Sequence, residues 1–422
     1  MKFVVVGLSH NTAPLEVREQ AYVPQSGVGE CLRRLVDHDL IESGVLLSTC
    51  NRTEIYAVSD TEDARERLRA SFGSWPHDLP FAIWDRYAYG LDDDEAMAHV
   101  FRVAAGLDSM VLGEGQILGQ LKDALRTARD SGPIDARLQI ILQGALRTGK
   151  RVRHETELGR RAVSVSHAAV AKATEVLGDL DGRGVLLVGT GTMSQVALRL
   201  LRNQRIRQVY LASRTREHAG RVAGPLGGEV IELDHLDSVM AAVDIVICSS
   251  GAPHHLVGRT DVEGWQALRA MRPLLLIDLA VPRDVDPEVA ALPGVQLFNI
   301  DDLRDVATGN LDARQASVPS AERIVEEELA RTRHALAARA AAPTARALVE
   351  KVEGLRDREL GRHLRQIADP HTQQVMVDLA ESLTAKFLDG PLRSLRDSPD
   401  PVIETAVFRD AFDLDTGDSR DR

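Results

Sequence analysis

The stretch Val185-Leu-Leu-Val-Gly189-Thr-Gly191-Thr-Met-Ser194 runs from an apolar strand pattern through a glycine turn into a helix start. In such a unit Gly189 permits the tight turn, and Gly191 lets a pyrophosphate approach the backbone at the helix N-terminus. Thr190 stands between these glycines, and Thr192 and Met193 lead from them into the helix pattern that follows. Ser194 stands where the fingerprint has its last glycine, which predicts a helix set slightly further from the strand. The next strand-like run, Gln208–Ala212, ends in Ser213-Arg214-Thr215. An acid there would bind the ribose of NAD; an arginine between two hydroxyls suits a 2′-phosphate, so the predicted nucleotide is NADP.

Working outward, Val230–Leu233, Asp244–Cys248, Leu274–Asp278 and Val295–Phe298 read as further strands of a doubly wound sheet. Together they define a Rossmann-type domain over residues 157–305. Cys248 interrupts an apolar run and is expected to be core.

Upstream, Lys2–Leu8, the helical spacing of Gly27–His38, two strand runs flanking Cys50, a helix over Thr61–Ser71 and a strand over Ile83–Tyr89 follow one another. That order is ferredoxin-like. The pattern after Asp92 is helical. Met97, Val100, Phe101 and Ala104 share a face, with His99 beside it as either a packing residue or a catalytic one. Gly106–Gln120 holds four glycines before its last residue, with Ser109, Glu114, Gln116 and Gln120 among apolar neighbours. It reads as a pocket lining or as a tightly packed corner. Arg147–Arg161 is the most basic segment, either a linker or a grip for phosphates. Residues 1–156 are therefore read as one α+β domain plus helices. From Gln315 to Arg396 only helical spacing is present, punctuated by Pro343 and Pro370. Its one-sided apolar stripe predicts a helical dimerisation domain over residues 306–422, ending in a loose acidic tail.

The composition is that of a globular protein, with 44% hydrophobic and 27% charged residues among 422. A net charge of −12 argues against bulk nucleic-acid binding and leaves room for a local basic patch. No apolar run approaches a membrane span. Three scattered cysteines make neither a disulfide framework nor a metal knuckle. A cytoplasmic, reducing environment is expected.

Ser48-Thr49-Cys50-Asn51-Arg52 places a thiol in a small polar turn between strands, with a guanidinium two positions on. A positive charge there is expected to favour the nucleophilic thiolate. The alternative is a half-buried structural cysteine. Cys31, on the apolar face of a helix, reads as core.

Taken in order, these motifs resemble the glutamyl-tRNA reductase family, the first enzyme of the five-carbon route to tetrapyrroles. Gly7–Leu15 with Val17-Arg-Glu19, Ser48–Tyr56, Gly106–Gln120, Ala162–Val170 and Asp278–Pro287 carry the resemblance, which covers nearly the whole chain. It implies NADPH-dependent reduction of glutamyl-tRNA to glutamate-1-semialdehyde through a thioester on Cys50, with His99 as a second catalytic residue. It also implies substrate contacts from Thr49, Asn51, Arg52, Ser109, Glu114, Gly115, Gln116 and Gln120, and cofactor contacts from Gly189 through Ser194. A homodimer, and hand-over to glutamate-1-semialdehyde aminotransferase, belong to the same expectation; no metal does. Gly115 departs from the proline or threonine of many members and is expected to loosen its loop. The competing readings are a shikimate-dehydrogenase-like reductase of a small free substrate and a non-catalytic NADP-binding scaffold. Dependence of NADPH oxidation on tRNA separates the three.

Overall fold

The computed structural model describes residues 2–72, 79–160, 165–202, 204–223, 228–304, 315–397 and 401–415. Residues 1–326 form one compact unit and residues 327–422 another.

The first unit holds two sheets. Strand β1 (Lys2–Ser9) leads through α1 (Leu15–Gln20) and α2 (Gln25–Asp37) to the hairpin β2 (Ser43–Ser48) and β3 (Arg52–Ser59). Then come α3 (Ala64–Phe72), α4 (Phe81–Tyr87) and β4 (Tyr89–Asp92). The antiparallel sheet has the order β2-β3-β1-β4, the ferredoxin-like arrangement in which β1 and β2 run parallel with β3 between them. Val4, Val5, Val6 and Leu8 of β1 are wholly buried, so both faces of the strand are covered. Each such side chain contributes about 1.5–3 kcal/mol.

The strand expected over Ile83–Tyr89 is instead the helix α4, and β4 begins at Tyr89. The aromatic residues there suggest a strand, but Trp84 is a single buried anchor whose indole N–H donates to the Arg69 carbonyl at 2.8 Å. One buried face and a Pro80 start suit a helical turn, and tertiary packing overrides propensity.

Helices α5 (Asp93–Ala104), α6 (Gln116–Ser131) and α7 (Ala136–Glu155) follow. Met97, Val100, Phe101 and Ala104 are buried, as their spacing predicts. The second sheet is parallel, with the order β10-β9-β8-β5-β6-β7. Its strands are β5 (Gly184–Val188), β6 (Gln208–Ser213), β7 (Glu229–Glu232), β8 (Ile245–Cys248), β9 (Leu274–Asp278) and β10 (Val295–Asn299). This is the doubly wound Rossmann order, whose direction switches between β5 and β8. Cys31 and Cys248 are buried, as expected of core cysteines.

The helices Val318–Leu364, Pro370–Asp397 and Pro401–Ala411 end the chain. Pro343 does not punctuate them, because the first helix runs through it. Alanine-rich helix-forming sequence on both sides sustains the helix across the one backbone hydrogen bond that proline forfeits. Ala341, Leu348, Leu388 and Leu395 form the small core of the second unit. Leu355, Val375, Leu379, Leu383 and Phe387 remain exposed. Arg161 to Ser164, the boundary expected at 305–306 and the end of the acidic tail lie outside the described residues.

Candidate active site

Cys50 stands in the turn between β2 and β3, which Thr49 closes by donating its N–H to the Arg52 carbonyl at 2.8 Å. Thr49 Oγ1 also accepts from the backbone N–H groups of Asn51 and Arg52, each at 3.2 Å. The threonine therefore holds the turn that presents the thiol. Cys50 is half-buried and packs on an apolar cluster to which Leu15, Met110 and Val111 contribute from one side and Leu279 and Val281 from the nucleotide domain.

Burial and the nearby Glu114 push the Cys50 thiol up to about 12, with Arg18 pulling the other way. The expected activation by Arg52 is not what the structure shows. The Arg52 guanidinium donates from Nη1 to Glu54 Oε1 at 2.7 Å and to Asp108 Oδ2 at 3.1 Å, and from Nη2 to the Asp108 carbonyl. It is 1% exposed. Two carboxylates already balance its charge, and Arg18 is the cation that acts on the thiol.

Glu54 is one of the residues that the sequence reading missed. It is fully buried on β3 and accepts from Arg52, from the Tyr56 hydroxyl at 2.5 Å and from the Tyr89 hydroxyl. Burial would raise its pKa, but Arg52 and His99 outweigh it and hold the carboxyl well below the usual range. His99 Nε2 lies 3.2 Å from Glu54 Oε1, and the Tyr89 ring meets the imidazole edge to face at 5.5 Å. A carboxylate only accepts, so Nε2 carries a proton and points it at Glu54. A glutamate among the apolar residues of a covered strand, beside a cysteine turn, is the signal that would have found this pair.

On either side of the cysteine turn, buried polar atoms lack a partner among the described residues. Asn51 Oδ1, His10 Nδ1, and Arg18 Nε and Nη1 are buried and unbonded. The His10 N–H donates to the Asn51 carbonyl at 2.8 Å. Burial, with Arg52 adding to it, lowers the imidazole to about 4. Arg18 donates to Asp301 Oδ1 at 2.5 Å, and Arg304 to the His10 carbonyl at 3.2 Å. A buried unsatisfied group costs about 1–3 kcal/mol, so a cluster of them beside one thiol marks a place built for a ligand. His10 and Arg18 escaped notice because each sits in an ordinary-looking signature, and only the fold brings Arg18 to Cys50 and His10 to Asn51.

Of the other expected substrate contacts, Ser109, Gln116 and Gln120 are half-buried. Gly115 is turned elsewhere: a Cβ on it would stand 3.3 Å from Arg153 Cζ. Glu114 is 8% exposed, and burial raises its carboxyl to about 7 against the pull of Arg52. The folded protein therefore favours the neutral acid. The stability this confers is complete below the ordinary value of 4.5 and is lost as pH rises through about 7. Glu114→Gln is expected to stabilise the protein at pH 8, by about 3 kcal/mol at most, and to change little near pH 4.5. Urea unfolding at the two pH values checks this; equal shifts at both would refute it.

At the switch point, a cavity of about 250 Å³ is lined by Gly189, Thr190, Gly191, Ser213 and Arg214, with Ser249 and Ser250 opposite. Gly189 has φ +103°, and a Cβ there would stand 2.6 Å from the Ser249 carbonyl oxygen; only glycine fits. The helix Thr192–Arg202 begins at this cavity. Thr192 and Thr215 are exposed, and Met193 packs into the core beside its helix. Ser194 is fully buried, its hydroxyl 2.6 Å from that of Ser249, so it ties the helix to the end of β8. These residues fit a dinucleotide: a glycine cradle, a helix N-terminus and no acid at the end of β6.

Comparison with known proteins agrees region by region. Residues 6–156 match the model of the glutamyl-tRNAGlu reductase N-terminal domain, 171–306 that of shikimate / quinate 5-dehydrogenase, and 320–414 that of the glutamyl-tRNAGlu reductase dimerisation domain. A glutamyl-tRNA reductase of Desulforudis audaxviator is 39% identical over 94% of this chain and 89% of its own. One from Moorella thermoacetica is 38% identical over 94% and 90%. The solved glutamyl-tRNA reductase from Methanopyrus kandleri is 34% identical, with a TM-score of 0.51 over 98% of this chain and 99% of that one. Outer regions that match two domains of one family, and relatives that span nearly the full length, place the middle region in the same context: the chain belongs to the glutamyl-tRNA reductase family.

Proposed function

We propose that this chain reduces the glutamyl ester of a tRNA to glutamate-1-semialdehyde with NADPH, through a thioester on Cys50, as the first step of tetrapyrrole synthesis. The observation that carries the reading is the thiol itself, set among unpaired buried polar atoms where the nucleotide domain meets the ferredoxin-like domain. NADPH, held at Gly189, Thr190 and Gly191 with its 2′-phosphate at Ser213-Arg214-Thr215, would supply the hydride, and Met193 and Ser194 would fix the helix behind that turn.

The protein's own groups do the rest. Cys50 sulfur attacks the ester carbon and the tRNA leaves as an alcohol, taking up a proton; after reduction the thiolate departs and the aldehyde is free. Arg18 Nε and Nη1 supply donors for the negative charge that builds on the carbonyl oxygen. Glu114 has the carboxylate that acts most strongly on the thiol, and a group that titrates near neutrality is suited to accept the thiol's proton. Asn51 and His10, with Ser109, Gln116 and Gln120, are assigned to substrate orientation. Thr49 shapes the turn. Arg52 reaches a substrate carboxylate only by sharing its guanidinium with Glu54 and Asp108. His99, held by Glu54, is assigned to polarising or protonating the reacting group.

The working domains remain residues 1–156, 157–305 and 306–422. The exposed stripe from Leu355 to Phe387 is assigned to a second copy of the chain, and the free thiol suits a reducing cytosol. Transfer of the aldehyde to its aminotransferase would shorten the aldehyde's lifetime when the two proteins are mixed.

The test is NADPH oxidation with glutamyl-tRNA, uncharged tRNA and free glutamate. Oxidation with the charged tRNA alone is expected. Oxidation without any tRNA would favour a dehydrogenase of a small substrate, and NADPH binding without turnover would favour a scaffold.

A further inference from the structure

Helices α6 and α7 enclose a groove of about 510 Å³ that the site above does not use. Lys122, Arg126 and Arg129 line it from α6, and Lys150 and Arg153 from α7; no acidic residue lines it. Its floor is apolar, made by Leu118, Leu125 and Leu146. Gly115 and Gly119 keep it open: nothing lies within 4 Å of where a Gly119 Cβ would stand, and Arg153 rests against Gly115. Arg126 also meets Asp123 at 2.8 Å in an exposed pair. Among the described residues the other four cations have no carboxylate partner.

Lys122, Arg129, Lys150 and Arg153 repel one another across an apolar floor with no carboxylate partner among the described residues, and an anion from outside would offset that. Charged side chains of a merely solvated face pair along the helix, as Arg151 does with Glu155 at 2.8 and 2.9 Å on the same α7. The groove starts at Gly115, one residue from Glu114, whose carboxylate acts on Cys50. From Gly115 to Arg129 it extends about 21 Å at ~1.5 Å per helical residue. A stacked strand advances about 3.4 Å per nucleotide, so the groove is long enough for the unpaired 3′ nucleotides of a tRNA whose end lies at the thiol.

We infer that the α6–α7 groove holds the single-stranded 3′ end of the tRNA, with phosphates on the Lys122/Arg126/Arg129 and Lys150/Arg153 rims and riboses or bases on the leucine floor. This rests on the reading of the substrate as an aminoacyl-tRNA. It also gives Gly115 a role: it leaves room for Arg153, whose guanidinium a Cβ there would crowd at 3.3 Å.

The test is binding of uncharged tRNA by fluorescence anisotropy across 50–200 mM KCl, using wild type, Lys122→Gln/Arg129→Gln, Lys150→Gln/Arg153→Gln and, as a control outside the groove, Arg151→Gln. NADPH binding and thermal melting verify folding. Each double variant is expected to lose at least ~10-fold in affinity, and its slope of log K against log salt to fall by about 0.7–0.9 for each cation removed. Arg151→Gln should match wild type, and a six-nucleotide RNA copying the tRNA 3′ end should compete where a polyglutamate peptide does not. Unchanged slopes in the double variants, an equal loss in Arg151→Gln, or competition by the peptide alone would each overturn the proposal. Wild type that binds no tRNA would instead bring down the substrate reading itself.

Discussion

Cys50→Ser is expected to abolish NADPH oxidation on glutamyl-tRNA, a loss of roughly 10³-fold or more, while NADPH affinity and thermal stability stay close to wild type. The stability half follows from the resting charge state. With burial and Glu114 holding the thiol up to about 12, Cys50 is neutral at pH 7, and a hydroxyl of similar size alters no charge in the site. The activity half follows from the same number. A thiol that starts neutral must give up its proton as it attacks, and serine starts several units higher still, with no imidazole hydrogen-bonded to it among the described residues. Wild type given labelled glutamyl-tRNA without NADPH should retain the glutamyl label on the protein, in a form that hydroxylamine releases. Cys50→Ser should retain none. Oxidation that persists in the serine variant would end the thioester mechanism.

Much of this was legible in the chain because the signals were local. The turn Gly189-Thr-Gly191 decides its own conformation, since Gly189 adopts a positive φ that glycine permits. The cysteine turn is equally local, with Thr49 bonding residues two and three positions on. Interactions that are distant in sequence were not legible. The partner of Arg52 at Asp108 is 56 positions away, that of His99 at Glu54 is 45 away, and that of Arg18 at Asp301 is 283 away. A reading that sees Arg52 two positions from Cys50 assigns its charge to the thiol. Only the fold shows that Glu54 and Asp108 absorb it. The segment Arg147–Arg161 was legible as basic, but its sequence does not separate Lys150 and Arg153, which face α6, from Arg151, which is paired with Glu155. That distinction comes from the 3.6-residue period of α7 set against a neighbouring helix.

The same buried network sets the second large effect. Glu54→Ala is expected to destabilise the protein by roughly 3–5 kcal/mol, because it leaves the Arg52 guanidinium, 1% exposed, with only Asp108 beside it. Glu54→Gln keeps the shape and an acceptor but removes the charge, so it should cost less and fold well enough to assay. Its kcat should fall roughly 10²–10⁴-fold, because an amide no longer fixes the His99 proton on Nε2 or steadies a charged imidazole. The pH dependence carries a definite sign. Arg52 and His99 depress the folded-state pKa of Glu54 below its ordinary 4.5, so the stability it confers is complete above that value and is lost as pH falls through the lowered one. The stability gap between wild type and Glu54→Gln should therefore be full at pH 7 and smaller at pH 3, measured by urea unfolding at each. A purely structural glutamate would lower stability and leave the pH–rate profile of the surviving activity in place. A residue that positions His99 should shift that profile in Glu54→Gln, with NADPH affinity unchanged. A stability loss with an unmoved profile and an undiminished kcat would reduce Glu54 to scaffolding and leave His99 without its orienting partner.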